Sequence, residues 1–351
     1  MNRNWTSLRP VLQNILDSEV ANGNENACQL CIIDHGEIVI DLASGYRDQY
    51  NTPCSTDDLL PIFSSGKPFL AALAWVLAEN DIISFQDPVG KYWKEFAAPD
   101  KAGITIEHLL SHRAGMYLLP SGKPDLTDWE NMCRLIAAMP PRNLPGEKCH
   151  YHPLTFAWLL GHTLELATGF PLPFLLKKYV LQIAGVENSV FFGIPQDQMH
   201  RIIPIDDSRI PNRPAWEATT MNDPAIQVCC IPSFNGIANA RGLAGFYSNL
   251  PGNIVSEETF DFATGKLFRS PDDPVKDHEW TRFALGVVLR GPDHNRRMFI
   301  GHGGAAGSEA FYMPDEKIAF AFTKNRLSPN HPDHPVRDRI SHALDLPTRF
   351  W

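Results

Sequence analysis

An uninterrupted apolar segment near residue 70 constrains the fold of this chain more than any other part of its sequence. Residues 68–78, PFLAALAWVLA, carry no charge and no side-chain hydroxyl, amide or carboxylate. A helix that is apolar on every side is either buried in a protein core or spans a membrane. This run is far shorter than the roughly 20 residues that a membrane span needs. We therefore expect a buried helix that ends at about Asn80, with the rest of the chain packed around it.

Strand patterns lie near both ends of the chain. Two short apolar runs, Leu30–Ile33 and Ile38–Leu42, flank the turn sequence DHG and predict a β-hairpin. After residue 282, further strands are predicted in FALGVVLR, MFIGHGG and AFYMPDEKIAFAFTKN. Between the two ends the patterns are mainly helical, with loops rich in Pro and Gly.

The two ends are expected to build one sheet. With 351 residues, the chain is longer than one minimal core requires. The most economical architecture is an α/β fold in which an antiparallel sheet, assembled from both chain ends, is flanked by helices and interrupted by an inserted, mainly helical region. We assign residues 1–72 and 282–351 to the discontinuous sheet domain and residues 73–281 to the insertion.

The charge balance and the N-terminus limit the classes of partner and the compartment. The formal net charge is −9 and no basic run is present, which argues against a nucleic-acid partner. The first residues lack the continuous apolar stretch of a signal peptide and include Asp17 and Glu19. Seven cysteines, an odd number, fit reduced thiols. We expect a cytoplasmic protein that binds neither nucleic acid nor membrane; the sequence predicts no particular oligomeric state.

A serine and a lysine stand three residues apart at the start of the apolar helix. Ser64 and Lys67 would share a helix face, whereas Ser65 would point elsewhere. A serine in the first turn lies at the positive end of the helix dipole, and a desolvated lysine, with its pKa lowered from about 10.4, can accept the serine proton. The alternative is that Ser64 caps the helix and Lys67 is solvated. With 18 Ser and 12 Lys, about 0.6 such spacings arise by chance, so the spacing alone leaves both interpretations open.

Two later segments point to a known family. CHYHPLTFAWLLGHTLELATG places Tyr151 just before a long apolar helix, and MFIGHGGAAGSEAFYM ends a strand in His302-Gly303-Gly304. With DPVGKYW, TIEHLLSHRAGM and NGIANARGLAGFYSNL, they make the chain resemble the serine β-lactamase and penicillin-binding-protein superfamily, in its class C-like esterase branch. The resemblance runs from IIDHGEIVIDLASGY to AFTKNRL. It implies a β-lactamase-like fold and a serine acyl-enzyme that forms without cofactor or metal.

The resemblance also implies roles for individual residues. Ser64 would be the acylated nucleophile, Lys67 its activating partner and Tyr151 the group that relays a proton to the leaving group. The backbone N–H groups of Ser64 and Ala305 would form the oxyanion hole, since two amide donors have to converge on the carbonyl oxygen. The motif residues His302, Gly303 and Gly304 would bind substrate, the glycines leaving room for it along the strand.

Two departures from the family pattern bear on the substrate. Pro153 stands where β-lactamases carry the Asn of their Y-x-N motif, and His302 stands where they carry the Lys of Lys-Thr-Gly. A side-chain amide and a permanent cation are therefore missing, which disfavours β-lactams and peptides. We expect a carboxylesterase-like hydrolase whose partner is a small-molecule ester or acyl donor.

Three alternatives remain open from the sequence. One is an acyltransferase that uses an alcohol or amine acceptor, and a second is a β-lactamase or D-amino-acid peptidase. The third is a family member that binds a ligand without catalysis.

Other candidate sites are interpreted as structural. His108 and His112 have the spacing of two zinc ligands on a helix, but Leu109 occupies the position of the H-E-x-x-H glutamate. His162 and Glu165 lie on a predicted core helix, where a hydrogen-bonded structural His is expected. The segment NHPDHP near the C-terminus is predicted to be a polar loop. No G-x-S-x-G motif is present, so an α/β-hydrolase nucleophile has no candidate.

Overall fold

One antiparallel sheet combines strands from both ends of the chain, as predicted. The computed structural model describes residues 3–269, 282–292, 294–329 and 335–347. Its strands are β1 (Ala27–Asp34), β2 (Glu37–Gly45), β3 (Leu60–Pro61), β4 (Val190–Phe191), β5 (Ile237–Ala238), β6 (Arg282–Phe283), β7 (Val288–Arg290), β8 (Phe299–Gly303), β9 (Glu309–Met313) and β10 (Ile318–Lys324). The large sheet has the order β2-β1-β10-β9-β8-β7-β6, and every neighbouring pair in it is antiparallel.

Helices cover the sheet and fill the middle of the chain. They are α1 (Trp5–Ala21), α2 (Lys67–Glu79), α3 (Ile106–Leu110), α4 (Trp129–Ala138), α5 (His162–Thr168), α6 (Leu172–Leu176), α7 (Gln182–Ala184), α8 (Trp216–Met221), α9 (Pro224–Gln227), α10 (Ala240–Asn249), α11 (Glu257–Gly265) and α12 (Pro335–Ala343). Two π-helical turns, Ala157–Gly161 and Lys177–Leu181, lead into α5 and α7.

The strand β10 shows how the sheet separates two apolar layers. Its Phe320 and Phe322 side chains join the core under α1 and α12, while Ala319 and Ala321 join the core on the opposite face. The small alanines let α10 lie close against this second face. The period-2 alternation of large and small residues therefore decides which helix packs on which side.

The predicted buried helix is α2, at the centre of the second layer. All of its residues from Lys67 to Leu77 are buried, and Trp75 donates its indole N–H to the carbonyl of Leu285 at 3.0 Å. Pro68 occupies the first turn, where its missing N–H costs no intrahelical hydrogen bond. The helix ends at Glu79, followed by Asn80, as expected.

The middle of the chain contains more structure than the sequence patterns indicated. Strands β4 and β5 join β3 in a small antiparallel sheet, and the helices α4, α6, α7, α8, α9 and α11 were not predicted. In the segment TIEHLLSHRAGM, the helix α3 ends at Leu110, and His112 adopts a positive φ of 58° shortly after it. Residue 72 lies inside α2, so the proposed division at that point does not coincide with the end of an element. The division into two domains stays a prediction.

Two further expectations concern membrane spanning and the NHPDHP segment near the C-terminus. Within the described ranges, no single helix has both the length and the apolar composition to cross a membrane; the consecutive helical stretches 157–168 and 172–184 reach both together but bend by 85°. Most of the NHPDHP segment lies outside the described residues.

Gly301 provides a test of the close approach between β8 and β9. A Cβ atom on Gly301 would lie 2.1 Å from the carbonyl oxygen of Ala310 on the neighbouring strand. We expect Gly301→Ala to lower the free energy of unfolding by about 3 kcal/mol, because two backbones would have to move apart. Gly265→Ala is the control: nothing lies within 4 Å of that Cβ position at the end of α11, so its stability should change by less than about 1 kcal/mol. Equal urea midpoints for both variants would contradict this account.

Candidate active site

The two adjacent serines occupy different environments at the start of α2. Both lie in a 3₁₀ turn, Phe63–Gly66, beside the end of β8. Ser65 is buried, and its hydroxyl lies 3.2 Å from the carbonyl oxygen of His302 and 3.3 Å from that of Ser308. Ser64 is only half-buried. Ser65 therefore ties the turn to β8, while Ser64 remains accessible.

Ser64 does not cap the helix. The N-cap of α2 is Gly66, and no side chain caps this end. The residue before Ser64, Phe63, has a φ of 50°, a left-handed conformation that is uncommon outside glycine and that clusters at functional sites. The geometry of the turn thus favours the interpretation of Ser64 as a reactive group over that of a cap.

Lys67 is fully buried, and its amine lies among oxygen atoms. Its Nζ is 3.0 Å from Ser64 Oγ, 2.7 Å from the carbonyl oxygen of Pro153 and 2.6 Å from that of Ser233. The two carbonyls can only accept hydrogen bonds, whereas the Ser64 hydroxyl can either donate or accept. The amine is therefore held by the backbone on two sides and points at the serine hydroxyl on a third.

Tyr151 and His302 complete the cluster. The Lys67 Nζ lies 4.9 Å from the centre of the Tyr151 ring. The Tyr151 hydroxyl is 3.5 Å from His302 Nε2, and both side chains are buried. The structure therefore brings Ser64, Lys67, Tyr151 and His302 together from three distant parts of the chain.

The glycines of the motif at 302–304 have different surroundings. A Cβ on Gly304 would lie 2.2 Å from the carbonyl oxygen of Ile62, two residues before Ser64, whereas one on Gly303 would meet only the Glu309 carboxylate, at 2.6 Å. The absence of a side chain at Gly304 allows the close contact between the end of β8 and the serine turn. The sequence analysis had instead predicted that this glycine leaves room for substrate. Ala305 follows in an exposed turn.

The loop around Ser233 also borders the site, and sequence reasoning missed it. The backbone carbonyl of Ser233 is 2.6 Å from Lys67 Nζ and 3.5 Å from Ser64 Oγ. The Asn235 side chain is buried; it accepts from Ile231 N at 2.9 Å and donates to the Cys229 carbonyl at 2.7 Å. These bonds fix the loop that presents the carbonyl. No residue pattern predicts this contact with Lys67, because the contacting group is a main-chain oxygen.

His152 fixes the loop between Tyr151 and Pro153. Its Nε2 accepts the N–H of Met116 at 3.2 Å, and its Nδ1 donates to the carbonyl of His150 at 2.6 Å. Burial lowers the pKa of His152 to about 3, so the ring stays neutral with one donor and one acceptor nitrogen. Sequence reasoning missed this residue too.

His108 and His162 have structural surroundings. His108 Nδ1 accepts from Thr105 N at 3.3 Å in the capping box of α3. His162 lies 3.1 Å from Glu165, as expected for a hydrogen-bonded structural His. In the part of the chain that the structure describes, no group of three or more His, Cys, Asp or Glu residues could hold a metal ion.

Comparison with known proteins shows the family of the chain. The family model named Beta-lactamase matches residues 12–345. The chain belongs to the beta-lactamase family. It is 28% identical over 331 residues to the esterase/beta-lactamase LipL of Mycobacterium tuberculosis, covering 85% of this chain and 76% of that protein.

Solved structures of the family superimpose over nearly the whole chain. A family VIII carboxylesterase matches with a TM-score of 0.84 at 27% identity, covering 96% of both chains. A penicillin-binding protein homolog from Caulobacter crescentus matches with a TM-score of 0.82 at 24% identity, covering 98% of this chain and 97% of that chain. The predicted β-lactamase-like fold is confirmed, and this beta-lactamase family member is a serine hydrolase of the superfamily.

The two ring contacts of His152 can be tested separately. In His152→Asn, the side-chain amide can still donate to the His150 carbonyl but no longer reaches Met116 N; in His152→Gln, the side-chain oxygen can replace Nε2 as the acceptor. If the Met116 contact positions the Tyr151 loop, Asn should slow labelling of Ser64 by a fluorophosphonate about tenfold and Gln much less. The measurement is the labelling rate well below the melting temperature. Wild-type labelling rates in both variants would show that His152 does not position the Tyr151 loop.

Proposed function

We propose that this protein is a carboxylesterase-like hydrolase that cleaves small-molecule esters through an acyl-enzyme on Ser64. The observation that carries the proposal is the fully buried amine of Lys67, 3.0 Å from Ser64 Oγ. Burial away from water penalises the charged form of an amine, and a neutral amine has two N–H donors and one lone pair. If the two donors bind the carbonyls of Pro153 and Ser233, the lone pair faces the Ser64 hydroxyl. In this arrangement the amine accepts the serine proton as Ser64 attacks the ester carbonyl.

Tyr151 would return a proton to the leaving alcohol. His302 Nδ1 lies 2.7 Å from the carbonyl oxygen of Gly303, so this nitrogen carries a proton and Nε2 is the acceptor in the neutral ring. The Tyr151 hydroxyl then donates towards Nε2 at 3.5 Å. The Lys67 Nζ lies 4.9 Å from the centre of the Tyr151 ring, and this proximity supports a relay in which the Tyr151 hydroxyl passes a proton to the leaving group.

Two backbone amides would bind the developing oxyanion. In the turn after β8, Gly304 N donates to Ser308 O at 2.7 Å and Gly307 N donates to Gly304 O at 2.9 Å. Among the described residues, no hydrogen bond engages the amide of Ala305, which lies between them. Together with the amide of Ser64, it would supply the expected pair of donors.

Esters are favoured over β-lactams because of Pro153. Its only hydrogen-bonding group is a carbonyl, and that oxygen already accepts from Lys67. The side-chain amide that would bind the amide group of a β-lactam is missing. The similarity to a family VIII carboxylesterase, at 27% identity over 96% of the chain, also supports an ester substrate.

The proposed roles can be tested on a p-nitrophenyl ester. We expect Ser64→Ala, Lys67→Ala and Tyr151→Phe each to lower kcat about 1,000-fold or more, because the nucleophile or a proton-transfer group is lost. Lys178→Ala and Tyr50→Phe, both on the surface, are matched controls that should keep wild-type turnover. Circular dichroism checks that the variants fold. Near-normal turnover in any of the three would show that its assigned role is wrong, and a wild type inactive towards every ester would favour a member that binds without catalysis.

Nitrocefin distinguishes an esterase from a β-lactamase. Since Pro153 offers no side-chain amide, we expect kcat/KM for nitrocefin to be about 100-fold or more below that for a p-nitrophenyl ester. Comparable values for the two substrates would refute the ester assignment.

Acyl transfer is separated from hydrolysis by the products. An alcohol added to the assay competes with water for the acyl-enzyme, and a transferase yields mainly the new ester. If water remains the main acceptor at high concentrations of an added alcohol and, separately, of an added amine, the acyltransferase alternative is excluded.

A further inference from the structure

His112, which shares the spacing of two zinc ligands with His108, lies against the ring of Tyr151. It is buried, and its ring centre is 4.9 Å from that of Tyr151, with the two ring planes 70° apart. Phe283 lies 4.8 Å from the His112 ring and stacks on Tyr151 at 5.8 Å. The sequence analysis interpreted His112 as a structural residue, but the fold places it in contact with the proposed proton-transfer group.

Two hydrogen bonds to His112 hold the chain on both sides of Tyr151. The carbonyl oxygen of His112 accepts the N–H of His150 at 2.9 Å, and Nδ1 of its ring accepts the N–H of His152 at 3.3 Å. Because Nδ1 needs a free lone pair for this bond, the neutral ring carries its proton on Nε2. One residue therefore binds the residues before and after Tyr151 and also contacts its ring.

The backbone at His112 is itself fixed. Its N–H donates to the carbonyl of Leu109 in α3 at 3.2 Å, and the next residue, Arg113, accepts the N–H of Gly146 through its carbonyl at 2.8 Å. The φ of 58° at His112 is uncommon outside glycine, and such conformations cluster at functional sites, where surrounding contacts hold them. His112 is thus held between α3 and the loop that carries Tyr151.

We propose that His112 is a positioning residue, which holds the Tyr151 phenol in line with the leaving group through the bond from His152 N to its Nδ1. The inference rests on the proposed esterase function. In that reaction, the proton taken from Ser64 by Lys67 passes through Tyr151 to the leaving oxygen. As the bond between the acyl carbon and that oxygen breaks, the oxygen keeps the electron pair and receives the proton. His112 forms no bond in this step.

A displaced Tyr151 should matter most for leaving groups that depend on the proton. A shift of about 1 Å in a group that acts on the substrate lowers the rate about 100-fold. Phenyl acetate and p-nitrophenyl acetate share one acyl group, but the nitro group stabilises the departing phenolate, so the second ester depends less on a proton donor. The measurement is kcat/KM for each ester, which covers the stage in which the alcohol leaves.

Two variants of nearly equal shape test the bond to Nδ1. In His112→Leu, which cannot accept the His152 N–H, the ratio of the phenyl to the p-nitrophenyl value should fall about tenfold. In His112→Asn, an acceptor oxygen is kept and the positive φ is tolerated, so the ratio should stay within about threefold of the wild-type value. His112→Gly also lacks the acceptor and tolerates the positive φ, so it provides the test if the Leu variant does not fold.

His108→Leu is the matched control. His108 Nδ1 also accepts a backbone N–H at 3.3 Å, that of Thr105, but this bond lies in the capping box of α3. The variant loses the same kind of bond and leaves the two bonds beside Tyr151 in place. Its ratio should equal that of the wild type even if the variant is less stable.

The outcomes separate this inference from the proposed function. If the wild type hydrolyses neither ester, the proposed function is wrong. If it hydrolyses both but His112→Leu and His112→Gly keep the wild-type ratio, only the role of His112 is wrong. An equal fall in the Asn and Leu variants would overturn positioning by Nδ1. A wild type that hydrolyses only the p-nitrophenyl ester would also overturn the inference, since no proton would then reach a leaving group that needs it.

Discussion

The burial of one lysine amine in a shell of oxygen atoms is the constraint on which the rest of the site depends. A buried amine that loses its partners costs several kcal/mol, so Lys67 is tolerated only because main-chain carbonyls meet its N–H groups. Those carbonyls belong to Pro153 and Ser233, which are far from Lys67 in sequence. The site can therefore form only when the loops that present them are in place.

The architecture supplies the required rigidity. α2 is buried along nearly its whole length, so Lys67 at its first turn cannot move away from the three oxygens. Ser65 fastens the same turn to the end of β8, where the carbonyls of His302 and Ser308 accept its hydroxyl at 3.2 and 3.3 Å. Because β8 comes from the C-terminal part of the chain and α2 from the N-terminal part, the composite sheet aligns Ser64 with the His-Gly-Gly strand.

Local patterns and long-range contacts differ in how well they can be predicted from sequence. The buried helix and the β1–β2 hairpin were predicted, because each depends on residues a few positions apart. The spacing of Ser64 and Lys67 indicated a shared face but left a solvated lysine open. Tyr151 and His302 could be assigned to the site only through the family resemblance, since no local sequence pattern predicts that these two residues lie close together. Their catalytic roles remain predictions.

The features that were missed share a physical cause. Ser233 contributes a backbone oxygen, which every residue type possesses, and Asn235 and His152 act on loops whose shapes have no periodic pattern. Strands β4 and β5 consist of two residues each, too short to produce an alternation that a sequence pattern could reveal. Such elements are set by tertiary contacts rather than by local preference.

The replacement of a side-chain amide by Pro153 links the proton chemistry to the substrate. An Asn side chain both donates and accepts, so it could contact the amine and an amide of the substrate together. Pro153 keeps the contact with the amine through its carbonyl oxygen, 2.7 Å from Lys67 Nζ, and offers no donor of its own. In the proposed mechanism, the activation of Ser64 is thus preserved while the polar contact to the substrate is lost. Under the proposed ester assignment, a cleft with that loss selects for substrates that need no amide contact.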